Sequence, residues 1–125
     1  MTIKIDAPKN AHIARVTFSG ELNRADIEAR IGEFASQVRT EMIYLVDLTA
    51  CALAMTASEF MSAVDFWFDQ IGSAIRMALV FDPDAQKEMA MLFDTKSFLL
   101  GGRQKSFHDS SAAMSWLESW PRAAT

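Results

Sequence analysis

The chain has 125 residues, of which half are hydrophobic and 22% are charged. That is the size and composition of one globular domain, so we expect residues 1–125 to share a single core. A net charge of −4 without a basic stripe excludes a typical nucleic-acid-binding protein. No window reaches the roughly 18 apolar residues of a membrane span, and the N-terminal run MTIKIDAPKN lacks a signal peptide's apolar core. We therefore expect a cytoplasmic protein.

Two strands and a helix are predicted first. Thr2–Asp6 predicts a short strand, and residues 12–19 alternate with the period-two pattern of an outer strand that ends at Gly20. Asn23 is a typical N-cap for an amphipathic helix. The apolar stripe of that helix consists of Ile27, Ile31, Phe34, Ala35 and Val38.

The centre of the chain predicts a buried strand followed by an unusually apolar helix. Residues 42–46 form a continuous run of strand formers, closed by Asp47 and Leu48, which indicates a strand covered on both faces. Thr56 and Glu59 form a T-x-x-E capping box, and Gly72 supplies a stop. The stripe between them is Phe60, Val64, Trp67, Phe68 and Ile71, widened by Met61.

The last third predicts two more strands and two more helices. Residues 75–81 read as another central strand, and Asp82 followed by Pro83 predicts the start of a third helix. Gly101 and Gly102 indicate a turn before a short strand at residues 104–108. The apolar face of the third helix consists of Ala85, Met89, Leu92 and Phe93. The final helix, capped by Asp109 or Ser110 and ended by Pro121, carries Ala113, Trp116, Leu117 and Trp120.

Strands and helices alternate through most of the chain, which predicts an α/β sandwich with right-handed crossovers. We expect a mainly parallel sheet of four to five strands and about four helices. The first two strands are joined without a helix, so their pairing should form an antiparallel edge.

Five short motifs carry a family resemblance that covers nearly the whole chain. They are FSGEL at 18–22, IYLVDL at 43–48, ALVFDP at 78–83, FHD at 107–109 and AMSWL at 113–117. In this order and spacing the chain resembles the SpoIIAA-like group of STAS and SEC14-related single-domain proteins. The resemblance implies a SpoIIAA/STAS-like fold.

The resemblance also implies a place to look for a phosphorylation switch. In STAS anti-sigma-factor antagonists, a partner kinase phosphorylates a serine at the start of the second helix. In this chain that position corresponds to Ala57, so the usual phosphoacceptor is missing. Thr56 and Ser58 flank it and are the candidate phosphoacceptors, since a phosphate is favourable at a helix N-terminus. The favoured interpretation of Thr56 is that it serves only as a helix cap.

The SEC14-related branch implies instead an apolar or lipid-like ligand. The Met- and Phe-rich second and third helices suit such a ligand, and we predict a non-enzymatic binding module with an apolar pocket. The predicted pocket residues are Met55, Phe60, Met61, Val64, Trp67, Phe68, Met89 and Phe93. The alternative is a STAS-type regulatory domain that binds a protein partner. A homodimer built on an exposed apolar face, with Trp116 or Trp120, is compatible with both.

Groups that could support other chemistry are sparse. Cys51 is the only cysteine, and its neighbours in ACALAM offer no activating base or cation, so we interpret it as a core residue. His12 and His108 have no second ligand at metal spacing. Asp65 and Asp69 share a helix face, which a solvated surface explains as well as a carboxylate pair does. We expect no catalytic residue, no metal and no cofactor.

Overall fold

The computed structural model of the protein describes residues 2–6, 12–39 and 42–119. Strands and helices alternate within these ranges after an initial strand pair. In chain order they are β1 (Thr2–Asp6), β2 (Ile13–Leu22), α1 (Arg24–Ala35), β3 (Ile43–Leu53), α2 (Ala57–Ile71), β4 (Met77–Val80), α3 (Lys87–Leu99), β5 (Gln104–Phe107) and α4 (Ser110–Ser119).

The five strands form one sheet in the order β1-β2-β3-β4-β5. β1 pairs antiparallel with β2, and every later pair is parallel. Right-handed crossovers that advance steadily in one direction place α1, α2 and α3 on the same face, and α4 then crosses to the other. The predicted α/β architecture with an antiparallel edge and four helices is confirmed.

The central strands are buried on both faces because each face has its own core. Tyr44 and Val46 of β3 point into the core beneath α1, α2 and α3. Leu45, between them, points into a smaller core beneath α4, as the alternation of strand side chains requires. The same alternation in β4 places Met77 in the first core and Ala78 in the second.

β3 is longer than the sequence predicts: the expectation that Asp47 and Leu48 close it is wrong. Asp47 Oδ1 accepts hydrogen bonds from the backbone N–H and the hydroxyl of Thr49, at 2.9 and 2.6 Å. This local turn produces an irregularity in the β2–β3 register, after which pairing resumes as far as Leu22 and Leu53. The turn signal therefore marks an irregularity inside the strand, which ends only at Leu53. β2 likewise continues past Gly20, which adopts a φ of 92°.

The third helix begins one turn later than predicted. Asp82 Oδ1 accepts hydrogen bonds from the N–H groups of Ala85 and Asp84, at 2.8 and 2.9 Å, and these donors lower the pKa of its carboxyl. They cap a turn at residues 83–86, and α3 itself starts at Lys87. The predicted cap of α4 is confirmed, because Asp109 Oδ1 accepts from the N–H of Ala112 at 2.7 Å.

Trp120 and Pro121 lie outside the described residues. None of the helices in the described ranges combines the length and the apolar character that a membrane crossing requires.

Candidate functional site

A small apolar cavity lies where α1, α2 and α3 cover the sheet. Its volume is about 50 Å³, and its lining is apolar throughout. Leu53, at the end of β3, is the only half-buried member of the lining, so the cavity comes nearest to solvent there. The lining residues are Phe18, Leu22, Ile27, Ile31, Leu48, Leu53, Phe60, Ala63, Val64, Trp67, Leu79, Phe81 and Phe93.

The predicted pocket residues divide into two groups around this cavity. Four of them line it: Phe60, Val64, Trp67 and Phe93. Phe68 is buried behind them and stacks on Phe93 with ring centroids 5.5 Å apart. Met55 and Met89 are half-buried against the same core without lining the cavity, and Met61 is half-buried outside the lining. Four of the eight predicted pocket residues therefore line one cavity.

The far wall of the cavity is held by a buried polar network. The indole N–H of Trp67 donates to Gln104 Oε1 at 2.7 Å, and Gln104 Nε2 donates to the Gly72 carbonyl at 3.0 Å. The Ser97 hydroxyl donates to the Gln104 carbonyl at 2.7 Å. These bonds tie α2, α3 and β5 together, since every buried polar group needs its partner. Sequence reasoning missed Gln104, because its partner Trp67 lies 37 positions away.

The start of α2 is a complete capping box, as predicted. Thr56 Oγ1 accepts from the N–H of Glu59 at 3.1 Å, and Glu59 Oε1 accepts from the N–H of Thr56 at 3.0 Å. The bonds to the backbone and side chain of Thr56 lower the pKa of Glu59. Thr56 and Ser58 are both exposed, but a phosphate on Thr56 would stand beside the Glu59 carboxylate. The geometry therefore favours the capping role of Thr56.

Cys51 is buried in the larger core. Burial raises the pKa of its thiol to about 11, and the carboxylate of Asp47 adds to the shift. A thiol with so high a pKa is a poor nucleophile at neutral pH. In the part of the chain that the structure describes, no three His, Cys, Asp or Glu side chains are grouped so that they could hold a metal ion.

The outer surface of α3 exposes four large apolar side chains, which we call the α3 patch. Phe98 is 84% exposed, Leu99 73%, Met91 62% and Leu100 45%. Phe98, Leu99 and Leu100 are consecutive at the end of the helix, outside the predicted apolar stripe. The signal for the exposed surface was an apolar run that departs from the stripe.

The predicted apolar face of α3 is only partly correct: Phe93 is buried and Met89 and Leu92 are half-buried, but Ala85 is exposed in the turn before the helix. Ala90 and Ser97, which α3 also buries, were not predicted.

Two solved protein structures are similar to this chain. A protein from Shewanella loihica PV-4, described as having a SpoIIAA-like fold, matches with a TM-score of 0.56 and 18% identity, over 93% of this chain and 92% of that one. The anti-sigma factor antagonist SpoIIAA, in its unphosphorylated form, matches with a TM-score of 0.49 and 14% identity, over 95% of this chain and 100% of that one.

The SpoIIAA-like family model matches residues 13–118. The chain therefore belongs to the SpoIIAA-like family, and the resemblance drawn from its motifs is confirmed. No curated protein matches it.

Proposed function

We propose that the chain is a cytoplasmic, single-domain regulatory protein that acts without catalysis by binding a protein partner. The observation that carries the proposal is the α3 patch, in which Phe98 and Leu99 are 84% and 73% exposed. The other large apolar side chains of the described residues are at least half-buried. Contiguous exposed apolar surface on a small domain is typical of an interaction site. Membership of the SpoIIAA-like family supports the same role.

The test compares a variant of the α3 patch with a variant at the start of α2. Tagged wild-type protein, the double variant Phe98→Ser with Leu99→Ser, and the double variant Thr56→Glu with Ser58→Glu are used to capture partners from the source cells. We expect the patch variant to lose a defined set of partners and the Thr56/Ser58 variant to retain it. Thermal unfolding of all three proteins shows whether each variant is folded.

Identical partner sets for the wild type and a folded patch variant would contradict the proposal. Loss of partners in the Thr56/Ser58 variant alone would move the interaction to the start of α2. It would then favour a switch at the two candidate phosphoacceptors.

A second candidate function, binding of an apolar or lipid-like ligand, is supported by the apolar lining of the cavity. Cavities lined in this way stay dry and admit apolar molecules, but one that holds benzene measures roughly 150 Å³. At about 50 Å³ the present cavity would have to enlarge before it could hold such a ligand. A homodimer is compatible with either function.

The ligand hypothesis is tested by native mass spectrometry of protein purified from cells, followed by solvent extraction. We expect a fatty acid or isoprenoid to raise the unfolding temperature of the wild type. The same ligand should have less effect on Ala63→Leu, which fills part of the cavity. A ligand-free mass together with no thermal shift would count against this function.

A further inference from the structure

An open groove of about 660 Å³ adjoins the α3 patch. Its lining comes mainly from the C-terminal half of α2, the end of α3 and Glu28 of α1. Phe66, Phe68 and Leu100 contribute apolar surface to its walls. Leu100 also belongs to the α3 patch, so the patch and the groove share this exposed apolar residue.

The charged side chains of the groove are mainly acidic. Glu28, Asp65 and Asp69 line it together with a single cation, Lys96. Lys96 Nζ lies 2.7 Å from Asp65 Oδ1 and neutralises that carboxylate. Glu28 has a looser contact of 3.8 Å with Arg24. The groove therefore carries an excess of negative charge.

Asp69 differs from the other two carboxylates of the groove in its ion pairing. Among the described residues no lysine or arginine forms an ion pair with it, and its side chain is exposed. Its own helix adds Glu59 and Asp65 and contains no basic residue. A partner that brings a cation to Asp69 would gain an ion pair without breaking an existing one.

We propose that the groove and the α3 patch together dock a protein segment with apolar anchors flanked by lysine or arginine. The inference rests on the proposed function and names the chemistry of the partner. Complementary charge steers such a segment to the groove and fixes its orientation, while the apolar side chains supply most of the binding free energy.

The same charges argue against two other occupants. In a symmetric dimer the same patch of each copy meets its counterpart, which would bring the carboxylates of two grooves together. An anionic lipid surface would also be repelled by the excess of carboxylates.

The docking surface is separate from the candidate phosphoacceptors. Thr56 and Ser58 lie at the start of α2, whereas Asp69 and Gly72 lie at its end. A helix of 15 residues is about 22 Å long at 1.5 Å per residue. Binding at the groove can therefore be disrupted without touching the capping box.

The test measures fluorescence anisotropy of a labelled amphipathic helical peptide made of leucine and lysine, titrated with the full chain. A twin peptide with every lysine replaced by glutamate is the control ligand. We expect the lysine peptide to bind and the glutamate peptide to bind at least about tenfold more weakly. Asp69→Lys and Phe98→Ser should each weaken the lysine peptide about tenfold or more. The charge-matched Glu118→Lys, on α4 across the sheet, should leave its affinity unchanged.

Equal weakening by Glu118→Lys and Asp69→Lys would show general charge attraction and overturn the proposal, as would equal binding of the two peptides. Sedimentation that finds a dimer which Phe98→Ser dissociates would assign the surface to a second copy and also overturn it. One further outcome is that the double variant Phe98→Ser with Leu99→Ser loses its partners from cells while neither peptide binds the wild type. That result would support the proposed function and contradict the inference that the partner is cationic.

Discussion

The two faces of the sheet share their strands but differ in how they are covered. On one face three helices enclose a wide aromatic core, in which the Phe34 ring lies 5.9 Å from that of Phe18 and 5.7 Å from that of Trp67. On the other face, within the described ranges, α4 is the one helix that covers β3, β4 and β5, and the core there is small. The outward side chains of β2, Arg15 and Thr17, remain exposed.

This difference in helix coverage explains the burial patterns of β2 and β4. β2 alternates because only one of its faces is covered, whereas β4 is buried at all four positions because helices lie on both sides of it. Ala78 and Ala113, both fully buried, allow α4 to approach the sheet closely. The wide face therefore holds most of the apolar core, and it contains the cavity.

The largest effect is expected for truncation in the aromatic core. Phe34→Ala should lower the free energy of unfolding by about 3–5 kcal/mol, because it removes ring contacts and leaves a cavity. Leu117→Ala in the small core should cost less, towards the lower end of the roughly 2–5 kcal/mol that a buried Leu-to-Ala change costs. Chemical denaturation of both variants measures the difference, and an equal or greater cost for Leu117→Ala would break the contrast between the faces.

The next largest loss of stability is expected for Gln86, whose side chain bonds to two carbonyls of β3. Gln86 Nε2 donates to the carbonyls of Leu48 and Cys51, both at 2.9 Å, and its Oε1 accepts from the N–H of Asp82 at 2.7 Å. Gln86→Ala leaves these buried groups without partners, which should cost about 1–3 kcal/mol. Hydrogen exchange should then show faster exchange near Cys51 than in β4. Unchanged exchange there would mean that pairing with β2 alone holds the end of β3.

A smaller, pH-dependent effect is expected from Cys51. Burial, with a contribution from Asp47, raises the pKa of its thiol from 9.0 to about 11. Because the folded pKa is above the unfolded one, the stabilisation is fully present below pH 9 and is lost as the pH rises towards 11. In that window the wild type should lose more stability than Cys51→Ala. Parallel pH profiles of the two proteins would show that the thiol is hydrated.

The smallest effect is expected on the uncovered part of the sheet. Thr17→Ala should change the free energy of unfolding by no more than about 0.5 kcal/mol, since its side chain is exposed on β2. Phe18, its neighbour in sequence, points into the aromatic core. A cost above about 1 kcal/mol, measured by the same denaturation, would indicate that something covers this surface in solution.

Much of the fold could be predicted, because it depends on local patterns. Period-two and helical spacing indicated each of the strands and helices, and the capping box at Thr56 and the cap at Asp109 were read directly. The extension of β3 could not be predicted. It involves pairing with the end of β2 and hydrogen bonds from Gln86, whose carbonyl acceptors on Leu48 and Cys51 lie 38 and 35 positions away.

The candidate site was less predictable than the fold. Periodicity indicated that Phe60, Val64 and Trp67 are buried, but whether buried side chains enclose a void depends on how several elements pack. Met55 and Met89 join the same core without reaching the void. In the sequence, the α3 patch is apparent only as the consecutive apolar residues Phe98, Leu99 and Leu100. Their exposure could not be predicted, because it depends on what the neighbouring helices leave uncovered.

The sequence by itself determined the order of elements, the SpoIIAA-like family and the faces that α1, α2 and α4 bury. These follow from the spacing of apolar residues and from caps that act within one turn. Only the tertiary structure decided the length of β3, the size of the cavity and the meeting of an acidic groove with exposed apolar residues. Those features depend on contacts between residues far apart in the chain, such as Lys96 with Asp65, which no local pattern encodes.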